Sequence, residues 1–223
     1  MNFSAAAFDY DGTLAHFGRM EKSTVDSLAR LKETGCKLLL VSGRTLVDLQ
    51  TVVDAYNMFD VIVAENGAVM SHSNILEGQL LTQPADRLLV EECAERGVQP
   101  LAVGRCVIAT VTEHQSTVAS IIDEPNLDYS ITLNKEYAMA LPAGIDKGSG
   151  LLAALTHLQI DPARSLAFGD AENDIAMFLR AGAGIAVSNS VDLLKENASW
   201  VTQQEHGLGV CEAIENVLTG RWH

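Results

Sequence analysis

Residues 3–14 read FSAAAFDYDGTL. The apolar run FSAAAF, residues 3–8, has the length and bounding of a strand buried on both faces. It ends at Asp9, and Asp11 follows two residues on. The two carboxylates therefore fall at the C-terminal tip of a strand, where open α/β sheets place their ligands. Gly12 lets the chain leave the strand through a conformation that a side chain opposes. Asp is rarely buried unpaired, so packing explains two acids at one strand tip poorly. They suit a hard divalent cation and a reaction that needs both a nucleophile and a proton carrier. An EF-hand calcium loop fails, because its sixth position should be Gly and its twelfth Glu; counted from Asp9, these are Leu14 and Met20. A turn in which the aspartates bond local amides remains open on this segment alone.

Outward from that strand, apolar runs alternate with helical patterns. LLLV (residues 38–41) follows a helix-like stretch over 21–34 that Gly35 stops. VIVA (61–64) follows a second amphipathic stretch over 45–56, and strand-like runs recur at 166–168 and 184–187. This alternation predicts an α/β fold, a Rossmann-like core with a parallel sheet and helices on both faces. The continuous apolar runs suit strands covered on both sides.

The middle differs. It reads as a helix (85–96), strands (99–103 and 105–112), a helix (114–123) and two more strands (127–132 and 137–141). The order αββαββ makes a compact α+β unit between two blocks of the alternating pattern. The expected division is a core of residues 1–81 and 143–223 with an inserted lid, residues 82–142. Pro84 and Pro142 are candidate hinges.

Composition sets outer bounds. The 223 residues are 48% hydrophobic and 20% charged, ordinary globular material for one large domain or a domain with an insert. No run reaches the roughly 18 apolar residues of a membrane span, and the N-terminus lacks the basic start of a secretory signal. Cys36, Cys93, Cys106 and Cys211 lack CxxC spacing. They read as small buried hydrophobes in a reducing compartment, which makes the cytosol the expected location. The net charge of −14 argues against nucleic-acid and anionic-membrane partners. A small phosphorylated substrate remains open, since a local cluster of cations and amides binds phosphate on an acidic protein.

Three further segments carry chemistry. In VSGRT, Ser42 closes the LLLV strand, and its hydroxyl, with the free backbone amides that precede a helix, makes an anion site in which Gly43 is a phosphate-binding candidate; a plain helix cap by Ser42 or Thr45 is the alternative. Lys147, in IDKGSG, opens a helical run where the macrodipole disfavours a cation, which suggests an anionic partner. A P-loop is excluded, because Lys147 precedes Gly148 where the motif needs Lys after its second Gly. In FGDAENDIAMF, Asp170 again follows an apolar strand and Asp174 lies one helical turn on. The bland reading is an acid-rich helix start. Crowded carboxylates repel unless a cation compensates, and Mg2+ is the economical choice.

In order and type, these four segments resemble the four motifs of the haloacid dehalogenase (HAD) superfamily of phosphatases: FDYDGTL, VSGR, DKGSG and GDAENDIAMF. The insert position and the segment AENGA (64–68) are similar to the Cof-like branch with a type-two, α+β cap. The resemblance implies that Asp9 is the nucleophile, forming an aspartyl-phosphate, and that Asp11 is the general acid/base. It implies Mg2+ held by Asp9, the Asp11 backbone carbonyl and Asp170, with Asp174 direct or through water. Ser42 and Lys147 would bind the phosphoryl oxygens, with Asn173 and the Tyr10 and Asp11 amides as secondary members of that cradle. Arg44 and Asn66 would face the substrate. The Tyr10 side chain should point away from its flanking aspartates along a strand and serve packing.

The implied function is a Mg2+-dependent phosphomonoester hydrolase for a small metabolite, of sugar phosphate or phosphoglycolate type. A phosphomutase of the phosphomannomutase type and a non-catalytic binding module are the alternatives; the intact acids and lysine argue against the last. Arg105, His114, Asn134 and Lys135 are the polar lid residues available for substrate contacts, and solvated surface is the plainer expectation for each.

Overall fold

The computed structural model describes residues 3–72, 77–124 and 127–221. The spans 1–81, 82–142 and 143–223 also contain residues 1–2, 73–76, 125–126 and 222–223, which lie outside the described residues. The first half of the core runs β1 (Ala5–Phe8), α1 (Lys22–Glu33), β2 (Lys37–Val41), α2 (Leu46–Val52), β3 (Val61–Ala64), β4 (Val69–His72) and β5 (Gln79–Leu80). The insert follows as α3 (Arg87–Glu95), β6 (Ala102–Val103), β7 (Ile108–Val111), α4 (Gln115–Asp123), β8 (Tyr129–Asn134) and β9 (Tyr137–Pro142). The chain then returns to the core through α5 (Lys147–His157), β10 (Ser165–Gly169), α6 (Ile175–Phe178), β11 (Ala183–Ala186), α7 (Asp192–Glu196), β12 (Trp200–Val201) and α8 (His206–Leu218).

One sheet has the order β12-β11-β10-β1-β2-β3-β4-β5. Its pairs are parallel from β12 to β3, whereas β4 and β5 pair antiparallel. The sheet is therefore parallel with a mixed edge, and the sequence pattern marks no strand at that edge. Strands of four and two residues are too short to show a period of their own.

The central strand is what places the site. In β1, Phe8 pairs with Phe168 of β10 on one side and Leu40 of β2 on the other. All three are fully buried, and the Phe8 and Phe168 rings stack at 4.6 Å. This register brings three neighbouring strands to an end at the same level. Asp9, Ser42 and Asp170 leave their strands one or two residues later, so they converge above one sheet edge. Burying each large apolar side chain contributes about 1.5–3 kcal/mol, which holds the register against slippage.

The insert forms its own antiparallel sheet, β6-β7-β9-β8, with α3 and α4 on one face. The order αββαββ is the expected one. Alternation along β9 shows how the two units meet. Ala140 joins Leu89, Cys93, Val118 and Ile121 in a cluster of the insert, while Met139 and Leu141 join the main core cluster with Phe8 and Leu40. Strand period two thus points one face at the insert helices and the other at the core.

Cys36, Cys93 and Cys106 are buried and unbridged, and Cys211 is half-buried. Among the described residues no helix is long and apolar enough to cross a membrane.

Candidate active site

Asp9, Asp170, Asp174 and Lys147 are all buried at the sheet's C-terminal edge. Lys147 Nζ donates to Asp9 Oδ1 at 2.7 Å and to Asp174 Oδ1 at 2.6 Å. Each of the three acids offers a carboxylate oxygen lying within 4.8 Å of the others. The other oxygen of Asp174 accepts from the backbone N–H groups of Asp170 (2.9 Å) and Ala171 (3.1 Å). Asp174 therefore ties its own loop and faces the site at once. Thr13 Oγ1 donates to Asp170 Oδ1 at 2.8 Å. Gly12, at φ +88°, is needed for this approach: a Cβ there would lie 2.3 Å from Asp170 Oδ2.

Lys147 reaches the acids because of how its helix begins. Asp146 caps α5 by accepting from the Ser149 N–H at 2.6 Å, and Ser149 Oγ accepts from the Asp146 N–H at 3.0 Å. Gly148 lets this first turn press on α6, where a Cβ would meet the Ala176 carbonyl oxygen at 2.2 Å. Lys147 is thus driven inward, against its solvation preference and the helix dipole, and the acids compensate it.

The electrostatics leave an excess of negative charge. Burial pushes the Asp9 carboxyl well above its usual range; Lys147 pulls it down, and Asp174 and Asp170 add to the rise. Burial disfavours the Lys147 ammonium, yet Asp174 and Asp9 hold its pKa above the ordinary lysine value. Three buried carboxylates with converging oxygens, and less than equal positive charge from Lys147, fit a small hard divalent cation. The Asp11 side chain is not one of the three; it pairs with Arg44.

Around this cluster lies a second tier. Ser42 is buried, and its Oγ accepts from the Arg44 N–H at 3.2 Å. The Asn66 N–H donates to the Ser42 carbonyl at 3.0 Å, and Asn173 Nδ2 donates to Asn66 Oδ1 at 2.8 Å. A Cβ at Gly43 would sit 3.1 Å from Asn66 Nδ2. Asn173 Oδ1 is buried with no protein partner, which leaves an acceptor or, with the amide turned, a donor to offer. At the rim, Arg44 and Asp11 pair with each other, Nε to Oδ2 at 2.5 Å and Nη2 to Oδ1 at 2.8 Å.

A family model of the haloacid dehalogenase-like hydrolases matches residues 6–110 and 100–214. The chain belongs to this family. It is 27% identical over 234 residues to a phosphoglycolate phosphatase of Methanosarcina acetivorans, with 100% of both chains covered. The fold matches a haloacid dehalogenase-like hydrolase from Bacteroides thetaiotaomicron at a TM-score of 0.79, 20% identity, and 96% and 99% coverage of the two chains. It also matches a HAD subclass IIB sugar phosphatase at a TM-score of 0.77, 21% identity, and 96% and 98% coverage. The resemblance to HAD phosphatases of the Cof-like branch, read from the four motifs, is borne out.

Within this HAD frame the sequence candidates divide in three. Asp9, Lys147, Asp170 and Asp174 are brought into one buried cluster. Ser42, Gly43, Asn66 and Asn173 form the tier beside it, and Asp11 and Arg44 form the rim. The Tyr10 side chain stands apart: it is fully buried, and its hydroxyl donates to the carbonyls of Val52 (2.8 Å) and Gly18 (3.0 Å). Burial, then the Asp11 charge, pushes its pKa up to about 12.

Four residues that brace the site or its link to the insert escaped the sequence reading. Thr13 carried a signal, a hydroxyl directly after the turn glycine. Asn189 and His206 carried none: Asn189 Nδ2 donates to the Gly12 carbonyl at 2.9 Å, and His206 Nδ1 lies 2.7 Å from the same oxygen. Glu65 is buried at φ +51° and accepts from three insert N–H groups, Arg105 (3.0 Å), Cys106 (2.9 Å) and Val107 (3.2 Å).

Two lid residues expected as solvated surface are bound to the core instead. Arg105 Nη1 donates to the Gly78 carbonyl at 2.8 Å. Lys135 bonds Asp170 through Nζ, and its N–H bonds Glu172 Oε2 at 3.1 Å. Both contacts join segments far apart in the chain, which no local pattern reveals.

Proposed function

We propose that this HAD enzyme is a Mg2+-dependent phosphomonoester hydrolase for a small phosphorylated metabolite, working through an aspartyl-phosphate on Asp9. The observation that carries the reading is the buried contact of Lys147 with both Asp9 and Asp174, 2.7 and 2.6 Å, beside Asp170. It supports reading Asp9 as nucleophile, Lys147 as phosphate-binding cation and the three aspartates as a divalent-ion donor set. Curated relatives named phosphoglycolate phosphatase point to a short phosphorylated acid as the substrate.

Asp9, Asp170, Asp174 and the Asp11 carbonyl would hold the Mg2+. When bound, it supplies Lewis-acid charge that offsets the repulsion between Asp9 and the phosphate. The Asp9 carboxylate attacks phosphorus, and the bond from phosphorus to the ester oxygen breaks. Asp11, protonated, gives its proton to the departing oxygen. Water then attacks the phosphorus of the acyl phosphate and loses a proton to Asp11, which frees inorganic phosphate and restores Asp9. Lys147 and Ser42 hold the phosphoryl oxygens, where charge concentrates in the transition state. Asn173 and the Tyr10 and Asp11 amides complete the cradle. Arg44 holds Asp11 at the rim, and one Asp11 oxygen leaves this fork to carry the proton.

Residues 82–142 act as the cap that covers the site and contacts the leaving group, over a core of residues 1–81 and 143–223. Free, buried Cys36, Cys93 and Cys106 suit a reducing cytosol.

The test is phosphate release from a panel of phosphorylated metabolites with Mg2+. Turnover of small monoesters, 2-phosphoglycolate among them, is expected. No release from any monoester would remove the hydrolase reading.

A further inference from the structure

Lys135 sits in the turn between β8 and β9 at φ +52°. With Asn134, Glu136 and Tyr137 it closes one side of a cleft of about 310 Å3 whose other side is Asp11 and Gly12. Among the described residues lining the cleft, Lys135 alone is cationic. Two contacts fix it. Its N–H donates to Glu172 Oε2 at 3.1 Å, and its Nζ donates to Asp170 Oδ2. The Lys135 side chain is 44% exposed, whereas Asp170 is fully buried. The ammonium therefore spans from the open cleft to the buried acids.

The position is specific to the leaving-group side. On the reading proposed above, the phosphoryl group lies against Asp9, Lys147 and Ser42, and Asp11 serves the ester oxygen. The rest of the substrate extends past Asp11, into the cleft that Lys135 closes. A divalent cation on Asp170 would draw on the same carboxylate that Lys135 bonds and weaken its hold on the ammonium, while the bond of the Lys135 N–H to Glu172 ties the turn. Of the two acids in the cleft, Asp11 is matched by Arg44 and Glu136 is solvent-exposed. A cation that shares its partner at the edge of a low-dielectric site favours an anionic group over a neutral one.

Lys135 Nζ touches Asp170, one of the acids clustered with Asp9, so its ammonium lies close to the phosphoryl side of the cleft and suits a short leaving group.

We propose that Lys135 is the specificity-determining residue of the leaving-group side, selecting phosphomonoesters whose short leaving group carries a carboxylate that pairs with its ammonium. This deepens the phosphatase reading and rests on it. Lys135 enters no bond-making step.

The test uses the full-length, Mg2+-loaded enzyme and two matched pairs. For binding, calorimetry compares 3-phosphonopropionate, an inert mimic with a carboxylate, with propylphosphonate, which ends in a methyl group. For turnover, kcat/KM is compared for 2-phosphoglycolate and ethyl phosphate. The wild type should prefer the carboxylate member of each pair by about tenfold or more, the scale of one charge-assisted contact. In Lys135→Met both ratios should fall to near one, Lys135→Arg should keep most of the preference, and Lys135→Glu should reverse it. Thermal melting checks that each variant is folded. Ratios equal in wild type and Lys135→Met would overturn the assignment, as would a wild type with no preference. Tighter binding of a matched bisphosphonate than of 3-phosphonopropionate would overturn the carboxylate class. Wild-type turnover of both esters without a Lys135-dependent ratio defeats this inference alone, whereas no turnover of any monoester defeats the phosphatase reading beneath it.

Discussion

The Arg44 guanidinium grips the Asp11 carboxylate with two hydrogen bonds, Nε to Oδ2 at 2.5 Å and Nη2 to Oδ1 at 2.8 Å. This is a planar fork that lysine cannot reproduce. Both side chains are partly exposed, 35% and 44%, so the pair contributes at most about 1 kcal/mol to stability. Its consequence is orientation: Asp11 is held at the rim rather than free.

Two variants separate aim from chemistry. Asp11→Asn should lower kcat by about 10²–10⁴-fold, the worth of acid–base catalysis. Arg44→Gln should lower it less, by under about 10²-fold, with the melting temperature within about 4 °C of wild type. Steady-state kinetics and thermal melting make the comparison. Wild-type kcat in Arg44→Gln would mean that Asp11 does not depend on the fork.

Lys147 is the counter-charge for two buried acids. Lys147→Met should abolish phosphate release and destabilise the fold by about 3–5 kcal/mol, because Asp9 and Asp174 are left facing each other. A fall in melting temperature of roughly 10 °C follows for a chain of this size. Mg2+ should recover more of that loss in the variant than it adds to the wild type. An unchanged melting temperature would contradict this charge balance.

The acid cluster also makes a prediction about ions. Exhaustive chelation should remove activity, Mg2+ should restore it, and Ca2+ should inhibit. Ca2+ takes more oxygen ligands at longer distance, which displaces Asp9 from the phosphorus. Full turnover after chelation would refute the role given to Asp170 and Asp174.

Glu65 links core to cap through the N–H groups of Arg105, Cys106 and Val107. Glu65→Ala leaves three N–H groups without their acceptor, at a cost of about 1–3 kcal/mol or more. Hydrogen exchange should quicken at residues 105–107 and stay slow in β1. Unaltered protection at 105–107 would show that Glu65 does not hold the cap.

Much of this was legible in the chain. FSAAAF followed by Asp9, LLLV by Ser42, and SLAF by Gly169 and Asp170 all announce strand tips, because buried strands are continuous apolar runs and their polar ends have few structural reasons to exist. Lys147 was readable from its wrong-signed place at a helix start. The short edge strands β4 and β5 were not, since two to four residues carry no period. Lys135 and Glu65 were hidden for a different reason. Each acts across a contact between the cap and the core, Lys135 with Asp170 and Glu65 with the loop at 105–107. Such pairs depend on how two units dock, and sequence patterns describe one element at a time.

The central claim is that Asp9 carries the phosphoryl group during turnover. Its most direct test is acid-quenched mass spectrometry of enzyme mixed with Mg2+ and 2-phosphoglycolate, with Asp11→Asn included to slow release of the adduct. A phosphoryl group on the peptide containing Asp9, absent from Asp9→Asn together with all phosphate release, is the predicted result. Phosphate release at wild-type rate from Asp9→Asn would contradict it.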